Sequence, residues 1–195
     1  MTHESLRIIR DEHAALAAML RSLSMMVHQG PGDGAEQFFD VMRAMLFYID
    51  EFPERLHHPK ESDLLFPKVV RVSPGTMEAV KRLEQDHMHS EGAVRELQHH
   101  LLAWELLGES RREKFESTMK TYITAYLEHM RLEETAILPE AEKSLDANDW
   151  KELDAAFVTN CDPLTGKYPR DPLYDRLFTK IVMSAPEPIG LGAHR

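Results

Sequence analysis

The chain has 195 residues, in which 23 Lys and Arg against 33 Asp and Glu give a net charge of −10; this argues against a nucleic-acid partner, because phosphate binding needs clustered basic side chains. A single cysteine, Cys161, excludes an intrachain disulfide and a thiolate-held metal cluster. No stretch approaches the roughly 18 apolar residues of a membrane span, and the first residues contain no apolar signal core, so we expect a cytoplasmic protein without a membrane partner.

Hydrophobic periodicity predicts an all-α fold that begins with two long helices. The first is expected over residues 3–28, where apolar side chains recur every three or four residues. The second is expected over residues 35–70 and contains Pro53 and Pro59. Because each proline removes a backbone donor and clashes with the preceding turn, we expect kinks there or two abutting helices.

The same periodicity predicts two further long helices, over residues 76–107 and 110–143. Four long helices joined by short turns are typical of an up-down-up-down four-helix bundle. We therefore predict such a bundle, with a di-metal site, in residues 1–145.

The pattern changes after this bundle segment. Two short helices are expected, over residues 147–158 and 171–184, and the chain ends in a segment rich in Pro and Gly. Residues 146–195 are therefore predicted to form a short C-terminal helical extension that packs on the bundle.

The pattern His-x-x-x-Glu occurs three times within the predicted helices. Residues i and i+4 lie on the same face of an α-helix, so each pair presents an imidazole and a carboxylate in one direction. His13 adds a fourth imidazole, because it interrupts the apolar stripe of the first helix. The three pairs are His57 with Glu61, His87 with Glu91, and His129 with Glu133.

These side chains predict a metal site. A buried unpaired carboxylate costs several kcal/mol, and a metal ion supplies the missing charge. Seven candidate ligands exceed the roughly four that tetrahedral zinc takes and suit two six-coordinate ions that share bridges. Nitrogen and oxygen donors without thiolates favour iron, with manganese or zinc as alternatives. The predicted ligands are His13, His57, Glu61, His87, Glu91, His129 and Glu133.

Neighbouring side chains leave alternatives open. His58 could replace His57, but it lies three rather than four residues before Glu61 and off the apolar side, so His57 is preferred. Tyr122 and Tyr126 lie one to two turns before the last predicted histidine ligand. We expect these tyrosines to pack in the core or to orient a ligand by a hydrogen bond.

Two segments carry a family resemblance, namely HHPKESDLLFP at residues 57–67 and EHMRLEETAILP at residues 128–139. With them the chain resembles the hemerythrin-like (HHE cation-binding) family over about residues 5–143, and APEPIG at residues 185–190 resembles the C-terminal extension of some bacterial members. The resemblance implies a four-helix bundle around a non-haem di-iron centre with an oxo or hydroxo bridge, and dioxygen or nitric oxide as the small ligand. It implies ligand positions at His13, His57, Glu61, His87, His129 and Glu133.

The chain departs from the oxygen-carrying members of that family at one position. Those members have a fifth histidine one turn after the histidine of the third helix, where this chain has Glu91. A carboxylate there should stabilise the ferric state and favour oxygen activation over reversible binding. The carriers also place their last carboxylate at the position of Glu134, although Glu133 is preferred here because of its i+4 spacing; Glu61 and Glu133 are the candidate bridges.

Three functions are compatible with this reading. The first is a di-iron protein that binds or senses dioxygen or nitric oxide. The second is a di-iron redox enzyme that handles oxygen, peroxide or nitric oxide, and the third is iron storage or buffering. A homodimer is possible, and a redox partner is expected without being identified by the sequence.

Overall fold

A computed structural model of the chain describes residues 3–165 and 172–192. The regular elements of these two ranges are helical, and the one extended pairing they contain is an isolated bridge between Pro186 and Gly192. In chain order the helices are α1 (Glu4–Gln29), α2 (Ala35–Glu51), α3 (His58–Lys60), α4 (Phe66–Val72), α5 (Met77–Leu107), α6 (Arg112–Leu132), α7 (Leu138–Ser144), α8 (Ala147–Phe157) and α9 (Asp175–Ser184). The predicted all-α fold class is confirmed for this part of the chain.

Three π-helical turns interrupt the long helices. The turns Pro53–His57 and Glu61–Leu65 flank α3, and the turn Glu133–Ile137 joins α6 to α7. The sequence predicted kinks or abutting helices at Pro53 and Pro59; the structure has α2, α3 and α4 in succession, with the turn residue Phe52 after α2 and a π turn on either side of α3. A π turn bonds residue i+5 to residue i, so it gains one residue relative to an α-helical turn.

A proline follows each of these π turns at the same spacing, and Pro59 stands in this position after the turn that begins at Pro53. Pro67 and Pro139 lie six residues after Glu61 and Glu133, the first residues of their turns. In each case the residue before the proline donates its N–H to the carbonyl of that glutamate. Because a proline ring clashes with the carbonyl four residues earlier, a wider turn relieves the crowding.

The four longest helices pack around a common centre. α5 lies against both α2 and α6, and α1 also packs on α2 and α6. Their buried side chains form two separate apolar clusters. One includes Leu16 and Leu20 of α1, and the other includes Leu6 and Ile9 of the same helix. The helical turn between these clusters contains His13, so the polar centre lies between two apolar cores.

The C-terminal helices complete these cores. α8 packs on α1 and contributes Trp150 and Phe157 to the core that contains Leu6, whereas α9 packs on α2 and contributes Ile181 to the other core. Asp146 caps the N-terminus of α8, and its carboxylate accepts backbone N–H bonds of 2.8 and 2.9 Å from the first turn. The division of the chain at residue 145 stays a prediction, and the predicted helix start at residue 171 lies outside the described residues.

None of the helices in the described ranges is both long enough and apolar enough to cross a membrane.

Candidate metal centre

Two groups of side chains with potential metal-ligating atoms meet between the apolar cores. The first group is His13, His57, Glu61 and Glu133; the second group is His58, Glu61, His87 and His129. Within each group the ligating atoms all lie within 4.8 Å of one another. Glu61 belongs to both groups, so its two oxygens connect them.

The contacts of the first group pair each imidazole with a carboxylate. Nε2 of His13 lies 3.2 Å from Oε2 of Glu133, and Nε2 of His57 lies 2.6 Å from Oε1 of Glu61. The other Glu61 oxygen, Oε2, lies 3.4 Å from Nε2 of His87 in the second group. This split of the two Glu61 oxygens is the arrangement that a bridging carboxylate requires.

The second group consists mainly of imidazoles. Nε2 of His87 lies 3.2 Å from Nε2 of His129, and the ring of His58 stacks on that of His87 with centroids 4.0 Å apart. Glu61 is its single carboxylate. The second group therefore offers three nitrogens and one oxygen, whereas the first group offers two of each.

Outer oxygens hydrogen-bond four of the five imidazoles and lie near the fifth. For each ring, Nδ1 faces an oxygen outside the two groups, which leaves Nε2 for the centre. Such partners orient a ligating histidine and set its tautomer. The Nδ1 partners are Glu134 for His13 (2.9 Å), Glu12 for His57 (2.7 Å), Glu54 for His58 (3.1 Å), Ser62 for His87 (2.9 Å) and Asp86 for His129 (3.5 Å, without hydrogen-bond geometry).

The donor set fits cations better than it fits a metal-free core. Glu61 and Glu133 are 0% exposed, and none of their four carboxylate oxygens has a hydrogen-bond partner. The short contacts to the imidazoles lack hydrogen-bond geometry, so they do not satisfy these oxygens. Leaving a buried charged group without hydrogen bonds costs several kcal/mol, and divalent cations between the carboxylates and imidazoles would supply the missing interactions.

The pKa directions differ between the two groups. In the first, burial disfavours a charged His13, but Glu133 and Glu134 outweigh it and raise its pKa to about 9. In the second, burial lowers the pKa of His58, and it lowers that of His129 to about 3. Without a metal, His13 of the first group therefore favours the imidazolium form, whereas His58 and His129 of the second group favour the neutral form.

The two buried carboxylates also differ. Burial opposes ionisation of Glu61, but the neighbouring imidazoles of His57 and His87 hold its pKa well below its usual range. For Glu133, burial and the charge of Glu61 raise the pKa to about 7. The carboxylate shared by both groups is therefore the one that stays ionised.

Six of the seven predicted ligands come together here, namely His13, His57, Glu61, His87, His129 and Glu133. Glu91 does not; its side chain is 51% exposed and pairs with Arg95. Glu91 lies within a regular α-helix, whereas Glu61 and Glu133 each begin a π turn. The structure therefore does not support Glu91 as a ligand.

His58 adds a fifth imidazole to the centre, whereas the sequence favoured His57 over His58 for a single position. Both neighbours are buried in the centre, His57 in the first group and His58 in the second. The π turn that ends at His57 changes the helical register, which periodicity alone does not reveal. Glu133 lies in the first group, whereas Glu134 is 43% exposed and holds Nδ1 of His13.

A sequence signal for the inward glutamates was available. Glu61 and Glu133 are each followed six residues later by a proline, whereas the corresponding residue after Glu91 is Leu97. The longer pattern His-x-x-x-Glu-x-x-x-x-x-Pro therefore separates the two glutamates inside the centre from the one outside it.

A buried polar network adjoins the second group. The hydroxyls of Tyr122 and Tyr126 each donate to Oε1 of Glu54 at 3.3 Å, and Ser90 donates to Oε2 at 2.6 Å. The Tyr126 hydroxyl also lies 2.9 Å from Nε2 of His58. Burial raises the pKa of Glu54 to about 7. The tyrosines thus combine core packing with a contact to a candidate ligand, and Glu54 was not identified from the sequence.

Two cavities reach the centre from different sides. A small one of about 20 Å³ touches both groups and is lined by Leu16, Phe52, Leu56 and Asn160 as well as by the histidines. A groove of about 370 Å³ lies between α5 and α6 and ends at His58, Tyr126 and His129. The second group therefore faces a wide groove, whereas the small cavity has room for only one or two water-sized molecules.

Comparison with protein families gives one match. The profile of the hemerythrin HHE cation-binding domain matches residues 4–141. This range contains both groups and their five outer oxygens, and it ends before α8. A comparison with curated proteins gives no match.

Proposed function

The chain belongs to the hemerythrin HHE cation-binding domain family, and on this premise we propose that it is a di-iron protein that binds or senses dioxygen or nitric oxide. Its ligands would be His13, His57, Glu61 and Glu133 for one ion, and His58, Glu61, His87 and His129 for the other. Bound iron would supply the open coordination position and the electrons that these small ligands require.

The shared carboxylate is the observation that carries this proposal. Glu61 is fully buried, has no hydrogen-bond partner, and directs one oxygen toward His57 and the other toward His87. A single metal ion held within one group would leave unsatisfied the oxygen that points toward the other group. Two ions on either side of Glu61 satisfy both, which supports a pair of cations over one.

Charge and donor type support two divalent ions without Glu91. Glu61 and Glu133 bring two negative charges into the centre, and Glu12 and Glu134 add two more on Nδ1 of His57 and His13. These negative charges, together with Glu54 and Asp86 on Nδ1 of His58 and His129, favour the binding of divalent ions. Five imidazoles and two carboxylate ligands suit iron, with manganese or zinc as alternatives.

The proposal also covers the architecture around the metal centre, the location of the protein in the cell and the route of the small ligand. The ring of contacts among α1, α2, α5 and α6 supports an up-down-up-down four-helix bundle. We also propose that residues 146–195 form its helical extension, and that the protein acts in the cytoplasm with a separate redox partner. The groove between α5 and α6 is the proposed route for dioxygen or nitric oxide to reach the second group.

A redox enzyme is the second candidate. The Tyr126 hydroxyl contacts His58, and the adjoining groove is wide enough for a molecule larger than a diatomic gas. A phenol beside a metal ligand can hold or release a proton during a redox reaction. The exposed position of Glu91 removes the charge argument that favoured this candidate from the sequence.

The test is to purify the protein without oxygen, measure its metals, and record absorption and Mössbauer spectra before and after adding dioxygen or nitric oxide. About two irons per chain and a spectrum that returns when the gas is removed would support binding or sensing. Irreversible oxidation coupled to turnover of a substrate would support the enzyme. Zinc, or no bound metal, would overturn the iron chemistry in both.

A further inference from the structure

A segment beyond the family-matched region contacts the candidate metal centre. The helical turn Val158–Asn160 follows α8, and its last residue, Asn160, is only 4% exposed. Nδ2 of Asn160 donates to Oε2 of Glu12 at 3.0 Å. The same carboxylate oxygen faces Nδ1 of His57 at 2.7 Å. Asn160 is thus connected to a candidate ligand of the first group through one carboxylate.

Other contacts hold Asn160 in this position. The Lys60 ammonium, one residue before the shared carboxylate, donates to Oδ1 of Asn160 and, at 2.9 Å, to the Thr159 hydroxyl. Two residues after Asn160, the carboxylate of Asp162 accepts a 2.6 Å bond from Tyr48 of α2. The segment is therefore attached to the bundle on both sides of Asn160.

The chemistry of Asn160 suits this position. A buried carboxylate such as Glu12 can rotate unless its oxygens are fixed by donors, and the orientation of the His57 ring depends on that carboxylate. The amide donates to Glu12 without adding a charge, so the carboxylate keeps its attraction for His57. A carboxylate in place of the amide would repel Glu12.

We propose that Asn160 is a positioning residue of the first group. By fixing Glu12, it holds Nε2 of His57 toward the metal position, so the affinity of this position depends on a segment outside residues 4–141. The second group has no corresponding contact from this segment among the described residues. This inference rests on the proposed pair of metal ions.

The experiment is a stepwise Co²⁺ titration of the metal-free full chain, with the visible absorption bands of bound Co²⁺ as the readout. Asn160→Asp is expected to weaken one of the two binding steps by about 10- to 100-fold, the range for loss of an outer partner of a metal ligand. It should also alter the bands of that ion. Asn160→Ala, which removes the donor without adding charge, should weaken the same step by less. Asn148→Asp adds the same charge at an exposed residue of α8 and should change neither step.

Combining Asn160→Asp with a ligand substitution in either group shows which of the two metal positions it affects. In His13→Gln, which lacks one ligand of the first group, Asn160→Asp should have a much smaller effect, because both changes act on the same position. In His87→Gln, which lacks one ligand of the second group, it should keep its full effect. Circular dichroism and thermal unfolding of each metal-free variant show whether the fold is retained.

The outcomes separate the two proposals. If wild-type protein fails to bind two ions, the proposed function is overturned. If it binds two and Asn160→Asp does so with unchanged affinities and bands, the positioning role of Asn160 is overturned while the proposed function stands. Equal weakening of both steps together with a lower unfolding temperature would also overturn it, since that result indicates only a packing role.

Discussion

The two halves of the metal centre share Glu61 but differ in almost everything around it. In the first group both imidazoles are backed by carboxylates, Glu134 on His13 and Glu12 on His57. In the second group Glu54 and Asp86 lie on Nδ1 of His58 and His129, but the Nδ1 partner of His87 is the neutral Ser62 hydroxyl, and the one ligand carboxylate is the shared one. The first group therefore has two carboxylate and two imidazole ligands, whereas the second has one carboxylate and three imidazoles.

The two groups also differ in their access to solvent. The first group is covered by Asn160 and the segment after α8, whereas the second ends the groove between α5 and α6. A site rich in charge and closed to solvent holds an ion tightly, since buried charges are weakly screened. A site with imidazole donors beside a groove can exchange a ligand. On the proposed function, we therefore expect the first group to retain its metal and the second group to contact the small ligands.

The largest expected effect comes from the residue that both halves share. Glu61→Gln keeps the shape of the side chain but removes its charge, so we expect the protein to lose both metal ions in a metal analysis. Glu91→Gln changes an exposed glutamate of the same sequence pattern and should retain them. Equal metal content in the two variants would contradict the bridging position of Glu61.

A substitution of His58 should weaken metal binding in the second group alone. His58→Gln removes one nitrogen of the second group, so we expect one metal-binding step to weaken by more than about 10-fold, the lower limit for loss of an outer partner. His99→Gln, at an exposed residue of α5, is the control. A titration in which both variants match wild type would return His58 to the role of a core residue and leave the second group incomplete.

The raised pKa of His13 predicts a pH effect in the metal-free protein. Its folded-state pKa of about 9 lies above the unfolded value of 6.5, so its stabilising contribution is present below pH 6.5 and is lost as pH rises through 9. One pKa unit corresponds to about 1.4 kcal/mol, so the loss is at most roughly 3 to 4 kcal/mol. Urea unfolding of chelator-treated protein at several pH values measures it.

The control for this pH effect is His13→Gln, which should show a flatter decline of the free energy of unfolding between pH 6.5 and 9. The metal-loaded protein should show the opposite slope, because metal ligands must be deprotonated and metal binding therefore strengthens with pH. An unchanged decline in His13→Gln would indicate that other groups cause it.

The smallest expected effect concerns the groove. Thr121 lines it and Thr124, one turn further along α6, does not. Thr121→Phe should slow the reaction of the ferrous protein with dioxygen or nitric oxide several-fold without changing its metal content, whereas Thr124→Phe should react like wild type. Stopped-flow absorbance measures both rates, and equal rates would mean that small ligands enter by another route.

Much of this arrangement follows from sequence spacing. The three- and four-residue periodicity predicted the all-α fold, and the spacing of histidine and glutamate identified His57, Glu61, His129 and Glu133 because i and i+4 share a helix face. His13 was identified because it is the one polar interruption of an apolar stripe. These features depend on local geometry, which a regular helix repeats.

The missed features depend on departures from regular geometry. His57 and His58 differ by about 100° on an α-helix, yet both lie in the centre because a π turn ends between them. Glu91 was included because it matched the α-helical spacing, but the glutamates that enter the centre begin π turns. Asn160 could not be identified from spacing, because nearly 150 residues separate it from its partner Glu12.

The position of the centre between two apolar cores also affects how the molecule opens. Each core excludes water and can hold together as a cooperative unit, but the layer between them consists of ionisable side chains. Without cations, few favourable contacts hold this layer together, and both α1 and α5 pass through it. Bound cations would connect the two apolar cores, so that they unfold together as one cooperative unit. We therefore expect metal binding to protect the backbone amides near His13 and His87 from hydrogen exchange.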